Sequence, residues 1–363
     1  MQKDFLGPLR GMIGAKSTPV IGVDISSTAV KLVELSGNPD KPELLRYAIE
    51  PLPRDAMTDG NVANLETVGS ALERAVRKLG SRTKGAAIAL PTSMVITKKI
   101  TLPATDRDDD LEFAVESEAN QYIPFALDEV NLDFAVIGPV ASDPTQVEVM
   151  IAAARKEKIE DRVAAVESAG LKAQVVDVEA MAVMGAYERM AENLPGKGVD
   201  QNVGVLDVGA TSTRFYVFRN DEQIFMRESP FGGNQLTQEI QRAYNMTNEE
   251  AEAAKRSGSL PSNYDNDVLR PYVDTLAIEA ARALQFFLTS NAQGQLDYLL
   301  LAGGCASLPG LAEAVSRRTN VTASVANPFA GMSLSSNVKS RQLAADAPSL
   351  MVACGLALRR FDQ

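Results

Sequence analysis

Two stretches of the chain share one pattern of apolar and polar residues. The first, Val20 to Leu35, reads VIGVDISSTAVKLVEL and consists of two apolar runs joined by a short polar turn that follows Asp24. The second, Asn202 to Phe218, reads NVGVLDVGATSTRFYVF and has Asp207 in the same place. Short apolar runs on both sides of a tight polar turn predict a β-hairpin in each stretch. Because the pattern returns about half a chain later, it predicts two related halves.

The rest of the first half predicts a mixed α/β sheet. A third strand is predicted at Glu43 to Glu50. Apolar residues at helical spacing predict a helix from Leu65 to Leu79, with Gly80 as its C-cap. A short buried strand follows at Ala86 to Leu90. Three strands, a crossover helix and a further strand are typical of an α/β sheet.

Residues 90–170 predict a small inserted module. Its predicted elements follow the order β-α-β-β-α, at Met94 to Leu102, Asp106 to Tyr122, Val130 to Ile137, Gln146 to Ala154 and Lys156 to Ala169. A break in the strands is predicted at Gly138-Pro139. The first helix begins with acidic residues, Asp106 and Asp108 to Asp110, which the positive end of a helix dipole favours. This acidic run therefore favours a helix start over a metal site.

The second half predicts further strands and helices around its own hairpin. A strand at Leu171 to Val178 and a helix at Glu179 to Glu192 precede it, followed by a polar linker at Pro195 to Asp200. The later predicted elements are a strand at Gln223 to Glu228, helices at Asn234 to Tyr244, Asn248 to Ser257 and Pro271 to Ser290, a strand at Leu296 to Ala302, an irregular stretch at Ser324 to Leu334 and a helix at Leu350 to Leu358. The late strand runs into Gly303-Gly304, a pair that lets the backbone approach a ligand closely.

The composition limits the chemistry that the chain can perform. Its 363 residues are 45% apolar, which is enough to bury the cores of two domains. A net charge of −11 argues against general binding to nucleic acid or to an anionic membrane surface. The absence of histidine excludes Ser-His-Asp and Cys-His catalysis and histidine-bound zinc. Cys305 and Cys354 lack metal-ligand spacing and are expected to be buried free thiols, as in a reducing cytoplasm.

Residues 1–19 contain too many helix breakers for a stable helix, among them Gly7, Pro8, Gly11 and Gly14. A flexible tail is the expected structure. The spacing of its apolar and basic residues leaves a second interpretation open, a helix that lies on a membrane surface. Neither a secretory signal nor a run long enough to span a membrane is expected in the chain.

The two polar turns are candidate phosphate-binding sites. A turn of serine and threonine residues between two strands directs several N–H and hydroxyl groups towards one small volume, which suits a phosphate. Asp24, at the end of its strand, is placed to hold Mg²⁺ directly or through water. Two such hairpins facing each other would grip one polyphosphate from both sides.

In their order along the chain, these motifs resemble the five nucleotide-binding motifs of the actin, sugar kinase and Hsp70 superfamily. The stretches corresponding to phosphate 1, connect 1, phosphate 2, adenosine and connect 2 are VIGVDISSTAVKL, VVDVEAMAVMGAYE, VGVLDVGATSTRFYVF, LLLAGGCASLPGL and MVACGLALR. The phrases DISSTAVKLVEL, ESPFGGNQLTQEIQ, AEAAKRSG and NPF further resemble the PilM family, the cytoplasmic actin-like proteins of type IV pilus assembly. The resemblance extends over essentially the whole chain after the tail.

The resemblance implies an α/β fold of the actin-like, ribonuclease H-like kind, with two related domains around a nucleotide cleft. The first domain is expected at residues 20–195 and the second at 196–363, after the tail at 1–19. The module at about 90–170 would then be a 1C subdomain of the kind that the cell-division protein FtsA has in the same place. In the PilM family the groove beside this subdomain receives the N-terminal cytoplasmic peptide of PilN, a single-span inner-membrane protein.

The resemblance also implies a site for ATP or ADP with Mg²⁺, in which Asp24 and Asp207 hold the ion through water. The residues expected at the phosphates are Ser26, Ser27, Thr28 and Lys31 from the first hairpin and Gly209, Ala210 and Thr211 from the second. The remaining expected contacts are Glu252 and Lys255 at the ribose and adenine, Gly232, Gly233, Gly303 and Gly304 along the floor of the site, and Asn327 near the base. Asp177 and Glu179 are the candidate catalytic residues, expected to position an attacking water.

Some of these assignments compete with simpler ones. Lys31 also fits a solvated strand lysine, and Glu252 with Lys255 also fits a surface ion pair of little energetic value. Many members of the superfamily have glycine where this chain has Ser26, and a Cβ at that place changes how closely a phosphate is held. A connect 1 carboxylate without a well-placed polar partner is slow in catalysis. ATP binding is therefore expected, with weak or absent hydrolysis.

The function implied by the resemblance is an ATP-binding scaffold of the type IV pilus machinery, in the cytoplasm at the inner face of the inner membrane. It is expected to bind the N-terminal peptide of PilN and to link the motor to the inner-membrane alignment complex, without binding nucleic acid and reaching the membrane only through partners. Self-association stays open. So do two alternatives, an active ATPase or phosphotransferase of the same fold and an FtsA-like membrane-associated filament protein.

Overall fold

The structure, a computed structural model, describes residues 19–105, 107–220, 222–290 and 294–362. The predictions for residues 1–18 and for Asp106 therefore lie outside the described residues. By its internal packing the chain divides into two units, one formed by the described residues of Met1–Ala182 and Gly355–Gln363 and the other by those of Val183–Cys354. Among the helices in these described ranges, none combines the length and the apolar character that a membrane-spanning segment needs.

The first unit begins with the predicted hairpin and third strand. These are β1 Val20–Ile25, β2 Ala29–Asn38 and β3 Lys41–Pro51. The chain continues with β4 Met57–Thr58, β5 Asn61–Val62, α1 Leu65–Leu79, β6 Gly85–Leu90, β7 Val95–Pro103, α2 Asp108–Ala119, β8 Val130–Val140, β9 Asp143–Arg155, α3 Lys156–Ser168 and β10 Lys172–Val178. Helix α4, Glu179–Ala191, contains the change to the second unit.

The main sheet of the first unit has the strand order β10-β6-β1-β2-β3. Strands β1, β2 and β3 form an antiparallel meander, whereas β6 runs parallel to both β1 and β10. Helix α1 covers this sheet with an apolar face that includes the fully buried Val68 and Leu72. Asn64 caps its first turn by accepting from the N–H of Thr67, and Gly80 ends it in the left-handed conformation at φ 64°. The predicted C-cap is thereby confirmed.

Strands β7, β9 and β8 form a separate antiparallel sheet with β9 in the middle. Its core is also separate and includes Ile100, Leu111, Val115, Val149 and Ile151. The prediction of a break at Gly138-Pro139 is wrong, because β8 continues to Val140 and only shifts register at this point. A proline is tolerated there since β8 lies at the edge of the sheet, where a missing N–H need not cost a ladder bond.

The sequence predicts helix α3 as part of the inserted module, but in the structure the helix packs in the core of the main sheet. Ala165 and Val166 lie in the core of the main sheet, together with Val68 and Leu72 of α1. The separate sheet and its helix α2 therefore occupy residues 95–155, within the predicted range of 90–170. Helical spacing identifies an apolar face, but the partner of that face depends on residues far away in sequence.

The second unit contains both predicted elements and shorter ones that the pattern misses. Its elements are β11 Val203–Val208, β12 Thr213–Arg219, β13 Glu222–Ser229, α5 Gly233–Tyr244, α6 Asn248–Ser257, a π-helix at Asp265–Leu269, α7 Arg270–Ser290, β14 Tyr298–Ala302, α8 Leu311–Thr319, β15 Ala323–Val325, β16 Ser333–Leu334, α9 Ser340–Asp346 and α10 Met351–Leu358. Helices α8 and α9 and strands β15 and β16 are not predicted, because such short segments carry little periodicity.

The sheet of the second unit has the strand order β13-β12-β11-β14-β15. As in the first unit, an antiparallel meander begins with the hairpin and a later strand runs parallel to the first one. Asp24 lies opposite Lys31 on the first hairpin, and Asp207 lies opposite Arg214 on the second. The repeated arrangement agrees with the prediction of two related halves.

The change between the units lies within helices rather than in a loop. It follows Ala182 in α4 and Cys354 in α10, whereas the sequence predicts a single boundary at residue 195. Both helices are continuous across the change, so no loop or break in the chain marks the place where the packing changes.

Candidate functional site

The first candidate phosphate site is the turn between β1 and β2, formed by Ser26, Ser27 and Thr28. Ser26 closes this turn, since its N–H and its Oγ both donate to the carbonyl of Ala29, at 3.0 and 2.8 Å. The carbonyl of Thr28 accepts from the N–H of Leu52 at 2.8 Å. The hydroxyl of Ser26 is thus used within the protein, and Ser27 and Thr28 provide the remaining hydroxyls of the turn.

Asp24 and Lys31 form an ion pair beside this turn. Lys31 Nζ lies 3.0 Å from Asp24 Oδ2, and the two side chains are only 16% and 6% exposed. A buried carboxylate needs such a partner because the protein interior solvates a charge poorly. Lys31 is therefore held at the carboxylate and is not the solvated strand lysine of the simpler interpretation.

The acidic donors suit Mg²⁺ only together with a nucleotide. Mg²⁺ is usually bound by one or two carboxylates in addition to waters and substrate phosphates. Asp24 and Asp207 stand on different hairpins, and the described ranges contain no group of three or more His, Cys, Asp or Glu side chains that could hold a metal ion. Each unit therefore offers one candidate carboxylate, and an Mg²⁺ ion at either of them would need phosphate oxygens and waters to complete its coordination.

Arg162 forms hydrogen bonds to the backbone next to the first turn. The sequence analysis does not predict this role. Its buried guanidinium donates from Nη1 to the carbonyl of Ile25 at 3.3 Å and from Nη2 to the carbonyl of Gly60 at 2.8 Å. Ile25 is the last residue of β1. The only sequence signal for this role is an arginine within an amphipathic helix, which usually marks a solvated face.

The second candidate phosphate site is the turn between β11 and β12, which packs on the start of α5. The N–H of Gly233 donates to the carbonyl of Gly209 at 2.9 Å, and the N–H of Asn234 donates to that of Ala210 at 2.8 Å. A Cβ on Gly232 would lie 2.6 Å from the oxygen of Gly209, too close for any side chain. Gly232 and Gly233 therefore position this turn, and the first N–H groups of α5 are already used.

Two N–H groups of the second turn remain available for an anion. Within the described residues, the N–H groups of Ala210 and Thr211 donate to no acceptor, whereas that of Gly209 donates to the carbonyl of Ser212 at 3.0 Å. Thr211 is exposed and Ala210 is partly exposed. Adjacent N–H groups at the tip of a turn form a small anion-binding concavity.

The glycine pair after β14 has two different roles. Gly303 has a φ of 88°, and a Cβ there would lie 2.3 Å from the carbonyl oxygen of Val208 and 2.6 Å from Asp207 Oδ1. This glycine thus lets the end of β14 approach the predicted Mg²⁺ ligand Asp207 closely. Gly304 is exposed, and apart from its own neighbours in the chain no heavy atom of the described residues lies within 4 Å of where its Cβ would be. It therefore leaves open space at the end of the strand.

Glu252 and Lys255 form a cluster with Thr237 of α5. The sequence analysis predicts the pair but does not predict that Thr237 joins it. Lys255 Nζ donates to Thr237 Oγ1 at 2.7 Å and to Glu252 Oε1 at 2.5 Å, and Thr237 Oγ1 also donates to Glu252 Oε1. Burial raises the pKa of Glu252, but the hydrogen bonds from Lys255 and Thr237 outweigh it, so the pKa is lowered. The pair is thus a fixed, half-buried arrangement and not a mobile surface ion pair.

Both cysteines are free thiols, as predicted. Cys354 is buried, as also predicted, whereas the prediction of burial is wrong for Cys305, which is partly exposed directly after the glycine pair. A Cβ on Gly233 would lie 2.8 Å from Cys305 Sγ, so the thiol packs against the start of α5. Burial raises the pKa of Cys305, and the charge of Lys255 only partly offsets this effect.

The two connect 1 carboxylates lie where β10 passes into α4. Asp177 is fully buried, and both of its oxygens are engaged, Oδ1 by the N–H of Val178 at 2.7 Å and Oδ2 by Arg359 Nε at 2.7 Å. This geometry favours a structural role for Asp177 over the predicted positioning of water. Glu179, the first residue of α4, is also buried.

Asn327, predicted near the base, starts a turn of its own. Its Oδ1 accepts from the N–H of Phe329 at 3.1 Å, and its carbonyl accepts from the N–H of Ala330 at 3.1 Å. The residue is exposed and follows β15 closely. Its side chain stabilises this turn, and a contact with a base stays a prediction.

A cavity of about 460 Å³ lies in the first unit, between the small sheet and the ends of β6 and β10. Its walls are mostly apolar, with acidic residues among them: Leu90, Val95, Glu112, Glu116, Leu127, Val130, Asn131, Leu132, Asp133, Ala152, Ala154, Lys156, Ile159, Val176, Asp177 and Val178. The resemblance implies a groove beside this subdomain, but the sequence does not show which residues line it, because they come from six separate segments. The size and lining suit an extended peptide.

Comparisons with known proteins concern the family and the fold of the chain. A family model described as Type IV pilus assembly protein PilM matches residues 22–361. Among solved structures, a chain of the PilM-PilN type IV pilus biogenesis complex is 32% identical, with a TM-score of 0.79, and the match covers 96% of this chain and 100% of that chain. The ethanolamine utilization protein EutJ from Carboxydothermus hydrogenoformans is 18% identical, with a TM-score of 0.58, covering 97% of this chain and 95% of that chain. These likenesses confirm the predicted actin-like α/β fold.

Proposed function

The chain belongs to the PilM family of type IV pilus assembly proteins, and we propose that it is an ATP-binding scaffold of the pilus machinery. As a scaffold it binds the cytoplasmic N-terminal peptide of PilN and links the motor to the inner-membrane complex. It works in the cytoplasm at the inner face of the inner membrane and reaches the membrane through its partners. The observation that carries the proposal is the likeness to the PilM-PilN complex along 96% of this chain.

The nucleotide part of the proposal rests on polar groups of each unit that can bind a phosphate or a ribose. Ser27 and Thr28 supply hydroxyls on the first turn, and Ala210 and Thr211 supply N–H groups on the second. Glu252, fixed by its neighbours, is an acceptor for the hydroxyls of a ribose. Bound Mg²⁺ would neutralise part of the phosphate charge. That one nucleotide engages all these groups stays a prediction.

We expect ATP to be bound and hydrolysed slowly at most. Positioning a water for attack on a phosphate requires a carboxylate with a free oxygen directed at that water. Both oxygens of Asp177 are engaged by Val178 and Arg359, which leaves Glu179 as the remaining candidate of the two carboxylates. A phosphate-release assay under saturating MgATP checks this expectation, and turnover at rates typical of kinases would favour the ATPase or phosphotransferase alternative.

The peptide part of the proposal rests on the cavity of the first unit. Leu132, Val130 and Ile159 provide apolar wall, which suits the apolar side chains of an extended peptide. The acidic residues Glu112 and Glu116 also line it. PilN is the partner named for the similar complex, and we assign its N-terminal peptide to this cavity.

Two calorimetric titrations test the proposal. The first adds MgATP, and Asp207→Ala is expected to weaken binding at least tenfold, whereas Asp274→Ala, an exposed aspartate of the same unit, leaves it unchanged. The second adds a synthetic N-terminal peptide of PilN from the same genome. Leu132→Glu, which places a charge in the apolar wall, is expected to abolish binding, whereas Ile137→Glu at a 37% exposed position on the same strand is not. Absence of heat in the wild-type titrations would contradict the respective part of the proposal.

A further inference from the structure

Helix α3 connects the cavity to the first phosphate turn. Its first residues reach the cavity, where Lys156 and Ile159 form part of the wall. Arg162 follows Ile159 by three positions and therefore lies on the same side of the helix. Its guanidinium, with the residue only 3% exposed, reaches the carbonyls of Ile25 and Gly60 at 3.3 and 2.8 Å.

The bond to Ile25 acts on the turn through a single peptide group. The carbonyl of Ile25 and the N–H of Ser26 belong to the same planar unit, so the orientation of one sets that of the other. That N–H closes the turn by donating to Ala29 at 3.0 Å. A displacement of Arg162 would therefore rotate the peptide at which the turn begins.

We infer that Arg162 couples the cavity to the nucleotide, so that a peptide in the cavity and MgATP at the first turn strengthen each other's binding. The inference rests on the proposed function of both sites. A peptide packed against Ile159 restrains α3, and the restrained guanidinium keeps the peptide group between Ile25 and Ser26 in place. Less ordering is then left for the nucleotide to impose when it binds. Arg162 is a positioning residue, because it acts through the backbone of the turn.

Helix α3 is suited to transmit this effect because it is also attached to the main core. Ala165 and Val166, in the turn after Arg162, pack with residues of α1. The segment from Ile159 to Val166 thus forms one continuous path from the cavity wall through Arg162 to the core. Coupling between sites is carried by such packed and hydrogen-bonded elements.

A thermodynamic cycle measures the coupling. The Kd of MgATP is determined by calorimetry with and without a saturating PilN N-terminal peptide, and the Kd of the peptide with and without MgATP. We expect each ligand to lower the Kd of the other about fivefold or more, and by the same factor in both directions. Arg162→Gln is expected to bring this factor close to one, and Arg162→Lys, which keeps one donor group, to restore part of it.

The matched control is Asp161→Asn, a substitution at the exposed position next to Arg162 on the same helix. It is expected to keep the wild-type coupling factor. A loss of stability in the Arg162 variants would weaken both ligands alike, with and without the other one, so it would not by itself change the factor. The ratio of the dissociation constants therefore separates a positioning role from a general structural one.

The outcomes distinguish this inference from the proposed function. If wild-type protein fails to bind MgATP or the peptide, the proposed function is contradicted and the inference with it. If both bind without coupling, with coupling of the opposite sign, or with coupling that persists in Arg162→Gln, the inference alone is overturned.

A fluorescence measurement tests the same link without adding the peptide. The chain contains no tryptophan, so Leu132→Trp provides a single tryptophan in the cavity wall. Addition of MgATP without peptide is expected to shift its emission, and Arg162→Gln in the same background is expected to remove the shift. Unchanged emission from the single-tryptophan protein at saturating MgATP would overturn the inference.

Discussion

Arg359 donates from Nε to Oδ2 of Asp177 at 2.7 Å, across 182 positions of the chain. The side chain of Asp177 has no exposed surface, and that of Arg359 is 18% exposed. Burial by itself lowers the pKa of Arg359, but the charges of Asp177 and Asp362 raise it more, so the pKa lies above its ordinary value. Arg359 therefore stays charged, and the ion pair attaches the end of the described chain to the end of β10.

Arg359→Ala is therefore expected to destabilise the first unit by about 3 kcal/mol, because it leaves a carboxylate buried without its positive partner. Urea unfolding followed by circular dichroism measures the loss. Arg107→Ala is the control, since the ion pair of Arg107 with Asp110 is largely exposed and should contribute less than about 1 kcal/mol. Equal losses of stability in the two variants would show that the buried ion pair contributes no more than the exposed one.

The glycine pair after β14 provides a matched comparison. Gly303→Ala forces a side chain into a left-handed residue and against the oxygen of Val208, so we expect a loss of roughly 2–4 kcal/mol. Gly304→Ala adds a methyl group to open space and should change stability by less than about 0.5 kcal/mol. Thermal unfolding of both variants checks the pair, and a tolerated Gly303→Ala would mean that β14 does not approach Asp207 this closely.

The cluster around Glu252 predicts a pH dependence of stability. The pKa of Glu252 is lowered in the folded protein, so the stability it contributes is complete above the ordinary value of 4.5 and is lost as the pH falls through the folded value. Glu252→Gln should therefore lower the urea midpoint at pH 7 and reduce the further loss on going to acid pH. Glu249→Gln, at an exposed position of α6, is the control. If the urea midpoint of Glu252→Gln depended on pH in the same way as that of the wild type, the predicted contribution of the Glu252 cluster to stability would be contradicted.

Asp133 predicts a pH dependence of stability whose sign is opposite to that of Glu252. Burial raises its pKa, only partly offset by the N–H of Phe134, and within the described ranges its Oδ2 has no hydrogen-bond donor. Its charge therefore costs stability as the pH rises above the ordinary value of 3.8. Asp133→Asn should gain up to about 1 kcal/mol at pH 7, a small value because the group is partly solvated.

The control for this gain lies on the neighbouring strand. The hydroxyl and N–H of Thr145 lower the pKa of Asp143, so Asp143→Asn should bring no gain at pH 7. Urea midpoints at pH 7 and pH 4 compare the two variants. A loss of stability in Asp133→Asn at neutral pH would show that the buried oxygen has a favourable partner.

Much of the fold follows from local pattern. The apolar runs on both sides of the polar turns after Asp24 and Asp207 predict both hairpins, because a strand buried on both faces next to a tight polar turn is encoded by residues adjacent in sequence. Gly80 marks the end of α1 for the same reason, since the left-handed conformation it adopts is a property of that one residue. The order of the motifs, which sequence alone contains, is sufficient for the resemblance to an actin-like family.

The candidate site is only partly predictable in this way. Glu252 and Lys255 are recognised as a pair from their helical spacing, but Thr237, which joins them, comes from another helix. Gly232 and Gly233 are recognised as special residues, yet their contact with the turn at Gly209 depends on how α5 packs. The local sequence around a residue does not show which residue of another helix or strand it contacts in the folded chain.

The sequence by itself determined the elements, the repeated hairpins and the kinds of residue available for phosphate binding, because these depend on neighbours within a few positions. The tertiary structure decided that Asp177 is bonded to Arg359, that Arg162 holds Ile25 and that α3 packs in the main core. Each of these contacts depends on which surfaces are buried together when distant segments pack. Burial then sets the energy of every charge involved, and burial exists only in the folded chain.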